Sequence, residues 1–185
     1  MKVIGLCGVS GAGKTHLAER LIAALRGLGC RVSVIKHAHK GFEIDRPGKD
    51  SYRHREAGAY EVLVASSRRF ALVRSFEHEA EPTVHDLLAQ LADAGPDHWV
   101  LVEGFKHADL PKIEVWREGS SPQTPAYVRD PHVVAIAHVG RLPSPTLLPV
   151  FDLDDAAGLA DFLRQDAPRY EYHRSREHTP PAARP

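Results

Sequence analysis

Several things this chain has little of exclude whole classes of protein. It carries two cysteines in 185 residues. Cys7 lies inside the first apolar run and Cys30 just before the second, a spacing that suits neither a zinc site nor a disulfide framework. Both are expected to be buried free thiols. Net charge is also missing: 24 basic side chains balance 24 acidic ones, so no overall field gathers nucleic acid or an anionic membrane, and neither is expected as a partner. No apolar run approaches the ~20 residues that span a bilayer. The chain opens on the strand-like MKVIGLCG instead of a basic and apolar leader, so a cytoplasmic protein is expected. There is no internal repeat, and the length suits one domain with a substantial core.

What is present is an alternation of strand and helix patterns. Val3 to Cys7 is a nearly continuous apolar run, the mark of a parallel strand covered on both faces. Leu17, Leu21, Ala24, Leu25 and Leu28 then recur at helical spacing up to Gly29, a plausible C-terminal cap. Val32 to Ile35 reads as a second strand, so the first stretch predicts a right-handed strand-helix-strand unit with a parallel pair. A polar loop, Lys36 to Lys49, leads to a short helix capped by Asp50 or Ser51. Glu61 to Ala65 and Phe70 to Val73 predict an antiparallel hairpin. A helix opened by Thr83 presents Val84, Leu87, Leu88 and Leu91 and ends at Gly95-Pro96. Strands follow at Trp99 to Val102, Ile113 to Trp116 and Val133 to Val139, and a last helix covers about Asp154 to Gln165. The whole predicts a three-layer α/β domain over residues 1–168, mostly parallel with one hairpin insertion, and a frayed tail from Arg169.

Residues Gly8 to Thr15, GVSGAGKT, match the spacing G-x-x-x-x-G-K-[ST] between a buried strand and an amphipathic helix. Each residue type answers a chemical need. Gly8, Gly11 and Gly13 let the backbone turn and approach phosphate oxygens, and the amides from about Gly11 to His16 converge on an anion at the helix N-terminus. Ser10, Ala12 and His16 complete the expected cradle. Lys14 would reach the β and γ phosphates, and Thr15 would offer its hydroxyl to magnesium. The reading is a P-loop for a nucleoside triphosphate with Mg2+.

The ion needs a carboxylate as well, because one hydroxyl is a weak ligand. Glu103, at the end of the apolar strand Trp99-Val100-Leu101-Val102 and followed by Gly104, resembles a Walker B acid; the alternative is a strand-end acid paired with Lys106 or Lys112. With Lys14 it is the candidate catalytic pair. Asp45 and Asp50 either hold a magnesium-bound water or serve as turn and cap residues. His37 and His39, flanked by Lys36 and Lys40, would share a face if the strand continues. A dedicated metal site there is less favoured than an anion-facing role, because cysteine partners and repeated spacing are missing. Arg53, His54 and Arg55 form a basic patch that either meets a second anionic substrate or is a solvated helix face. Arg68 and Arg69 at the hairpin turn are read as solvated unless a partner chain covers them.

GVSGAGKTHLAERLI, VIKHAHKGFEIDRPGKDSYRHREAGA, the hairpin VLVASSRRFALV and LVEGFKHADLPKIEVWR together resemble the molybdopterin-guanine dinucleotide biosynthesis protein B family, MobB, in order from Met1 to about Leu163. The resemblance implies a P-loop fold that prefers GTP and hydrolyses it slowly. It also implies a homodimer built partly through the hairpin, and a supporting role for the enzyme that joins GMP to molybdopterin, the molybdopterin guanylyltransferase. By motif match it assigns Gly8 and Ser10 to Thr15 to the nucleotide, Glu103 to the Walker B-like acid, and Asp45 to Ser51 to a loop on the active face.

One motif is missing. No N-K-x-D sequence follows Val133 to Ala137, where His138-Val139-Gly140 stands instead, and Asp152 or Asp154 is a loose substitute for a base-reading acid. Guanine over adenine therefore rests on the resemblance. Two other readings share the fold: a small-molecule kinase clamped by Arg53 and Arg55, and a metal-delivery GTPase suggested by twelve histidines.

Overall fold

The structure is a computed structural model and describes residues 1–38, 41–76, 78, 81–121 and 123–173. The chain divides into two compact units, one formed by Met1–His37 with the chain from Thr83 onward, the other by Ala38–Pro82. The hairpin expected as an insertion in a single domain thus belongs to a compact unit of its own.

The first unit is built on a six-stranded parallel sheet. Its strands are β1 (Lys2–Cys7), β2 (Arg31–Lys36), β5 (His98–Glu103), β6 (Lys112–Arg117), β7 (Val133–Val139) and β8 (Val150–Asp152), in the order β2-β5-β1-β6-β7-β8. On one face Ile4, Leu6, Leu101, Ile113 and Val115 pack with α1 (Lys14–Gly27) and α4 (Ala156–Gln165). On the other, Val3, Val100, Val102 and Ile35 pack with α3 (Val84–Leu88) and Leu110. The three-layer α/β architecture expected from the alternation of patterns is therefore present.

Helix α1 forms where the sequence places it. Leu17, Leu21 and Leu25 recur every four residues and are fully buried, each contributing about 1.5–3 kcal/mol of apolar burial. It stops because Gly29 takes φ 82°, letting Cys30 N donate to Leu25 O at 3.0 Å and Gly29 N to Arg26 O at 3.0 Å, a Schellman closure. Helix α3 opens on a capping box, Asp86 N donating to Thr83 Oγ1 and Thr83 N to Asp86 Oδ2.

Four sequence expectations change. β2 is parallel to β1 but does not pair with it: β5 lies between them, paired to both. Its Trp99 to Val102 run is buried on both faces and takes an interior position, whereas β2, with exposed Arg31 and Lys36, tolerates the edge. Helix α3 has five residues and ends well before Gly95, although Leu87 and Leu91 still pack beside its buried Val84 and Leu88. The edge strand β8 has no counterpart in the sequence reading; three residues are too few to show a period. Order also continues past Arg169. Tyr170 is buried with its ring centroid 5.6 Å from that of Trp99, Glu171 bridges to Lys2, and Tyr172 N donates to Met1 O at 3.0 Å. The rest of the expected tail, from residue 174, lies outside the described residues.

In the second unit α2 (Asp50–Glu56) precedes the antiparallel hairpin of β3 (Glu61–Ala65) and β4 (Phe70–Arg74), with Leu63 opposite Leu72 and Ala65 opposite Phe70. Among the described residues no helix is long and apolar enough to cross a membrane.

Candidate functional site at the carboxyl ends of β1 and β5

Because β1 and β5 are parallel neighbours, their carboxyl ends emerge side by side, with Leu6 in register with Glu103. The Gly8 to Thr15 loop therefore leaves β1 beside the acid that ends β5. Gly8, Gly11 and Gly13 have φ of 127°, 79° and 111°, values that L side chains rarely adopt. Gly8 also has no room for a side chain: a Cβ would collide with the Val115 carbonyl oxygen of β6. At Gly13 a Cβ would lie 2.9 Å from Leu153 Cδ2 and 3.6 Å from Arg117 Nη2. Ala12 is fully buried, its amide donating to Val9 O at 3.3 Å, while Ser10 is exposed. The loop is thus clamped between β6 and the turn after β8.

Gly13 caps α1 with no side-chain hydrogen bond to the first-turn amides. The helix N-terminus is a positive end of the kind that holds anions. Lys14 Nζ donates across the loop to Gly8 O at 3.0 Å and Val9 O at 2.8 Å. Thr15 Oγ1 donates to Glu103 Oε1 at 3.0 Å, and Lys36 Nζ lies 3.7 Å from Glu103 Oε2. The Glu103 side chain is 13% exposed. Neither Lys106 nor Lys112 is its partner: Lys112 is buried and donates to Asp130 Oδ2 at 2.6 Å and to Lys106 O at 3.1 Å.

The segment after Glu103 is fixed by close approach. Gly104 has φ 116°, and a Cβ there would come within 2.7 Å of His37 Cβ. His37 N donates to Glu103 O at 2.8 Å, and its ring stacks on Phe105 with centroids 4.8 Å apart. His37 therefore packs at the end of β2, and His39 and Lys40, expected to share its role, lie outside the described residues. His16 Nε2 is 2.9 Å from Asp154 Oδ1, and Arg20 Nη2 donates to Asp154 O at 2.9 Å. The hydrogen bond from His16, with the charge of Arg20 and of Arg117 beside it, holds the Asp154 carboxyl below its usual range. Asp152 Oδ1 accepts from Asp154 N at 2.8 Å.

Two buried groups next to the loop are structural. Burial, reinforced by the nearby Glu114 charge, pushes the Cys7 thiol up to about 12, so it stays protonated near neutral pH. Burial also raises Glu114 against the opposing effect of the Ala126 and Tyr127 amides, which donate to its oxygens at 2.8 and 2.6 Å.

The remaining candidates fall in the second unit. Asp45 Oδ1 accepts from Ser51 Oγ and Arg46 N, both at 2.9 Å, the bonding of a turn residue. Asp50 occupies the first turn of α2, where a negative charge suits the helix dipole; the cap position itself is Lys49. Arg55 donates to Glu43 Oε2 at 3.1 Å and lies 5.1 Å from the Tyr52 ring centroid, while Arg53 is exposed. Arg68 and Arg69 are exposed at the hairpin turn. Among the described residues no group of three or more His, Cys, Asp or Glu side chains is placed to hold a metal ion.

Residues 3–139 match the family described as molybdopterin guanine dinucleotide synthesis protein B. The chain belongs to this MobB family. It is 41% identical over 154 residues to the molybdopterin-guanine dinucleotide biosynthesis adapter protein of Escherichia coli strain K12, covering 83% of this chain and 86% of that one. The adapter protein of the same name from Haemophilus influenzae is 37% identical over 161 residues, covering 87% and 86%. The crystal structure of a MobB protein homolog from Bacillus stearothermophilus superposes with a TM-score of 0.64 at 23% identity, over 91% of this chain and 99% of that one, a likeness of fold. Membership puts the loop from Gly8 to Thr15, β5 with Glu103, and β6 within the matched span, whereas β8 and Asp154 fall beyond it.

Arg117 escaped sequence reasoning. It stands at the carboxyl end of a parallel strand, the edge where ligands of open α/β sheets bind, and that rule applied to Ile113 to Trp116 would have found it.

Proposed function

We propose that this protein binds GTP with Mg2+ at the P-loop, hydrolyses it slowly, and acts as an adapter in attaching GMP to molybdopterin. The observation that carries the nucleotide site is the 3.0 Å contact between Thr15 Oγ1 and Glu103 Oε1, which joins the start of the P-loop helix to the end of the neighbouring strand. A hydroxyl and a carboxylate are the hard oxygen donors magnesium takes from protein, the rest of its shell being water and phosphate. Thr15 and Glu103 would hold the ion, whose charge would supply neutralisation of the phosphates. Lys14 and the amides of Gly11 to His16 would bind the phosphates, Ser10 and Ala12 shaping the loop, and Glu103 would orient the hydroxyl of Thr15. Asp45 and Asp50 are not needed for this arrangement; each has a local role within its own unit.

The adapter role is supported by family membership and by the names of the relatives from E. coli and H. influenzae. The partners it implies are molybdopterin and its guanylyltransferase, in the cytoplasm. A homodimer through the hairpin is supported by its uncovered apolar surface: Leu63, Phe70 and Leu72 share one face and are 62%, 75% and 43% exposed. An isolated two-stranded hairpin is marginal in water, and pairing with a second copy would bury that face.

Calorimetric titration with GTP and Mg2+ tests the reading. The parent should bind, and Lys14→Ala should lose nearly all binding while staying folded with at most a small fall in melting temperature, because the ammonium bonds only the loop carbonyls of Gly8 and Val9 and is not part of the core. Equal affinity in the two proteins refutes the P-loop assignment.

A further inference from the structure

Strand β6 runs on past the end of β1. The last residue of β1, Cys7, is in register with Glu114, and beyond it on β6 Val115 and Arg117 approach the phosphate loop. Val115 presents its carbonyl oxygen to Gly8, and Arg117, two residues on and on the same face, brings Nη2 to 3.6 Å from where a Cβ of Gly13 would stand. One wall of the loop is therefore β6 from Gly8 to Gly13, on the side of β1 opposite to β5 and Glu103.

The Arg117 guanidinium is exposed and makes no hydrogen bond or ion pair among the described residues. Asp154 feels the Arg117 charge but makes no direct pair with it: its carboxylate bonds His16 and faces Arg20, and its carbonyl accepts from Arg20. A guanidinium presents five donors in a planar fork that fits phosphate two oxygens at a time, so an arginine whose donors are not taken up by a direct carboxylate contact beside a phosphate loop is suited to an anion. Lys14 is the cation inside the loop, and Arg117 is a second cation outside it, against the glycine that starts α1.

We propose that Arg117 contacts the polyphosphate of the bound nucleotide on the β6 side of the loop, as a nucleotide-binding residue that complements Lys14. The proposal rests on the nucleotide-binding reading above. Two features of the site follow. The magnesium-side groups Thr15 and Glu103 and the arginine stand on opposite flanks of β1, so the phosphates are gripped from both sides. Leu153, in the turn after β8, and the guanidinium approach the same glycine, Gly13.

The test uses the full chain and two probes, GTP with Mg2+ and inorganic tripolyphosphate with Mg2+, titrated into the parent, Arg117→Gln, Arg117→Lys and Lys14→Ala, with melting temperatures recorded without nucleotide. Arg117→Gln should weaken both probes about 10- to 100-fold, the range of a lost charge-assisted hydrogen bond, with Arg117→Lys in between and melting unchanged. Parent-like affinity in Arg117→Gln while Lys14→Ala fails to bind overturns this proposal and leaves the nucleotide reading standing. A loss for GTP with none for tripolyphosphate overturns it in favour of a base or sugar contact. A matching fall in melting temperature overturns it in favour of a structural role. Failure of the parent to bind either probe overturns the nucleotide reading and the proposal together.

Discussion

Replacing Gly8 and Gly11 by alanine, one at a time, should separate the two demands that the phosphate loop makes on its glycines. Gly11 sits at φ 79° with nothing, among the described residues, within 4 Å of where an added methyl group would stand, so its cost is backbone only. An L residue in the left-handed region costs about 1–2 kcal/mol, and the lower entropy of alanine in the unfolded chain offsets up to about 1 kcal/mol of that, leaving roughly 0.5–1. Gly8 sits at φ 127°, outside the left-handed well, at about 1–3 kcal/mol. Its Cβ also meets the carbonyl of Val115, in a strand paired on one side to β1 and on the other to β7, which cannot shift alone. Overpacking of that kind adds about 1–3 kcal/mol. The two terms sum to about 2–6 kcal/mol, from which the same entropic offset removes up to about 1, so Gly8→Ala should cost several-fold more than Gly11→Ala and a large share of a typical 5–15. Urea unfolding at equal m-value reads this directly. Gly11→Ala should keep most stability yet weaken GTP binding, because its methyl enters the open side of the loop where phosphate would lie. Equal stability of the two variants, or undiminished GTP affinity in Gly11→Ala, refutes the reasoning.

Glu103→Gln should keep much of the nucleotide affinity and slow GTP turnover, since the amide keeps the shape but loses the charge facing Thr15; single-turnover hydrolysis at an unchanged rate means that the acid comes from elsewhere. Leu72→Lys should shift the protein toward monomer in sedimentation velocity, because it sets a charge on the uncovered hairpin face; a parent that is monomeric at micromolar concentration removes the dimer. His98 is 1% exposed, with Nε2 2.9 Å from Ser33 Oγ and Nδ1 accepting from Ala94 N, and burial lowers its pKa against the raising effect of Asp93. A depressed histidine binds its proton more readily when unfolded, so stability should fall as pH drops below about 6.5, by at most about 1.4 kcal/mol per pH unit until the folded pKa is reached. A His98→Asn variant should lose that slope in urea titrations between pH 7 and 5, and an unchanged slope assigns it to other groups.

The glycine loop from Gly8 to Thr15, the placement of Glu103 at a strand end and the layered architecture were legible in the sequence because each is encoded locally. Gly8 to Thr15 is a contiguous pattern, Glu103 ends an apolar run, and the leucines of α1 repeat at the helical period. The anion cradle needs only successive amides at one helix start, so nothing distant has to be known to read it. Strand order is different. That β5 and not β2 lies beside β1 follows from the competition of all strands for interior positions, and an edge strand of three residues such as β8 exists only because β7 offers it partners. The neighbours of the loop likewise depend on that order. Thr15 meets Glu103 across 88 positions of sequence, and Arg117 and Leu153 reach Gly13 because parallel strands bring their carboxyl ends to one edge. Residue type alone favoured Glu103 as the acid beside the loop but left Asp45 and Asp50 open between holding a magnesium-bound water and serving as turn and cap residues. The hydrogen bonds of the folded chain give Asp45 to Ser51 and Glu103 to Thr15, because a carboxylate's role is set by the donors that packing brings within about 3 Å of it.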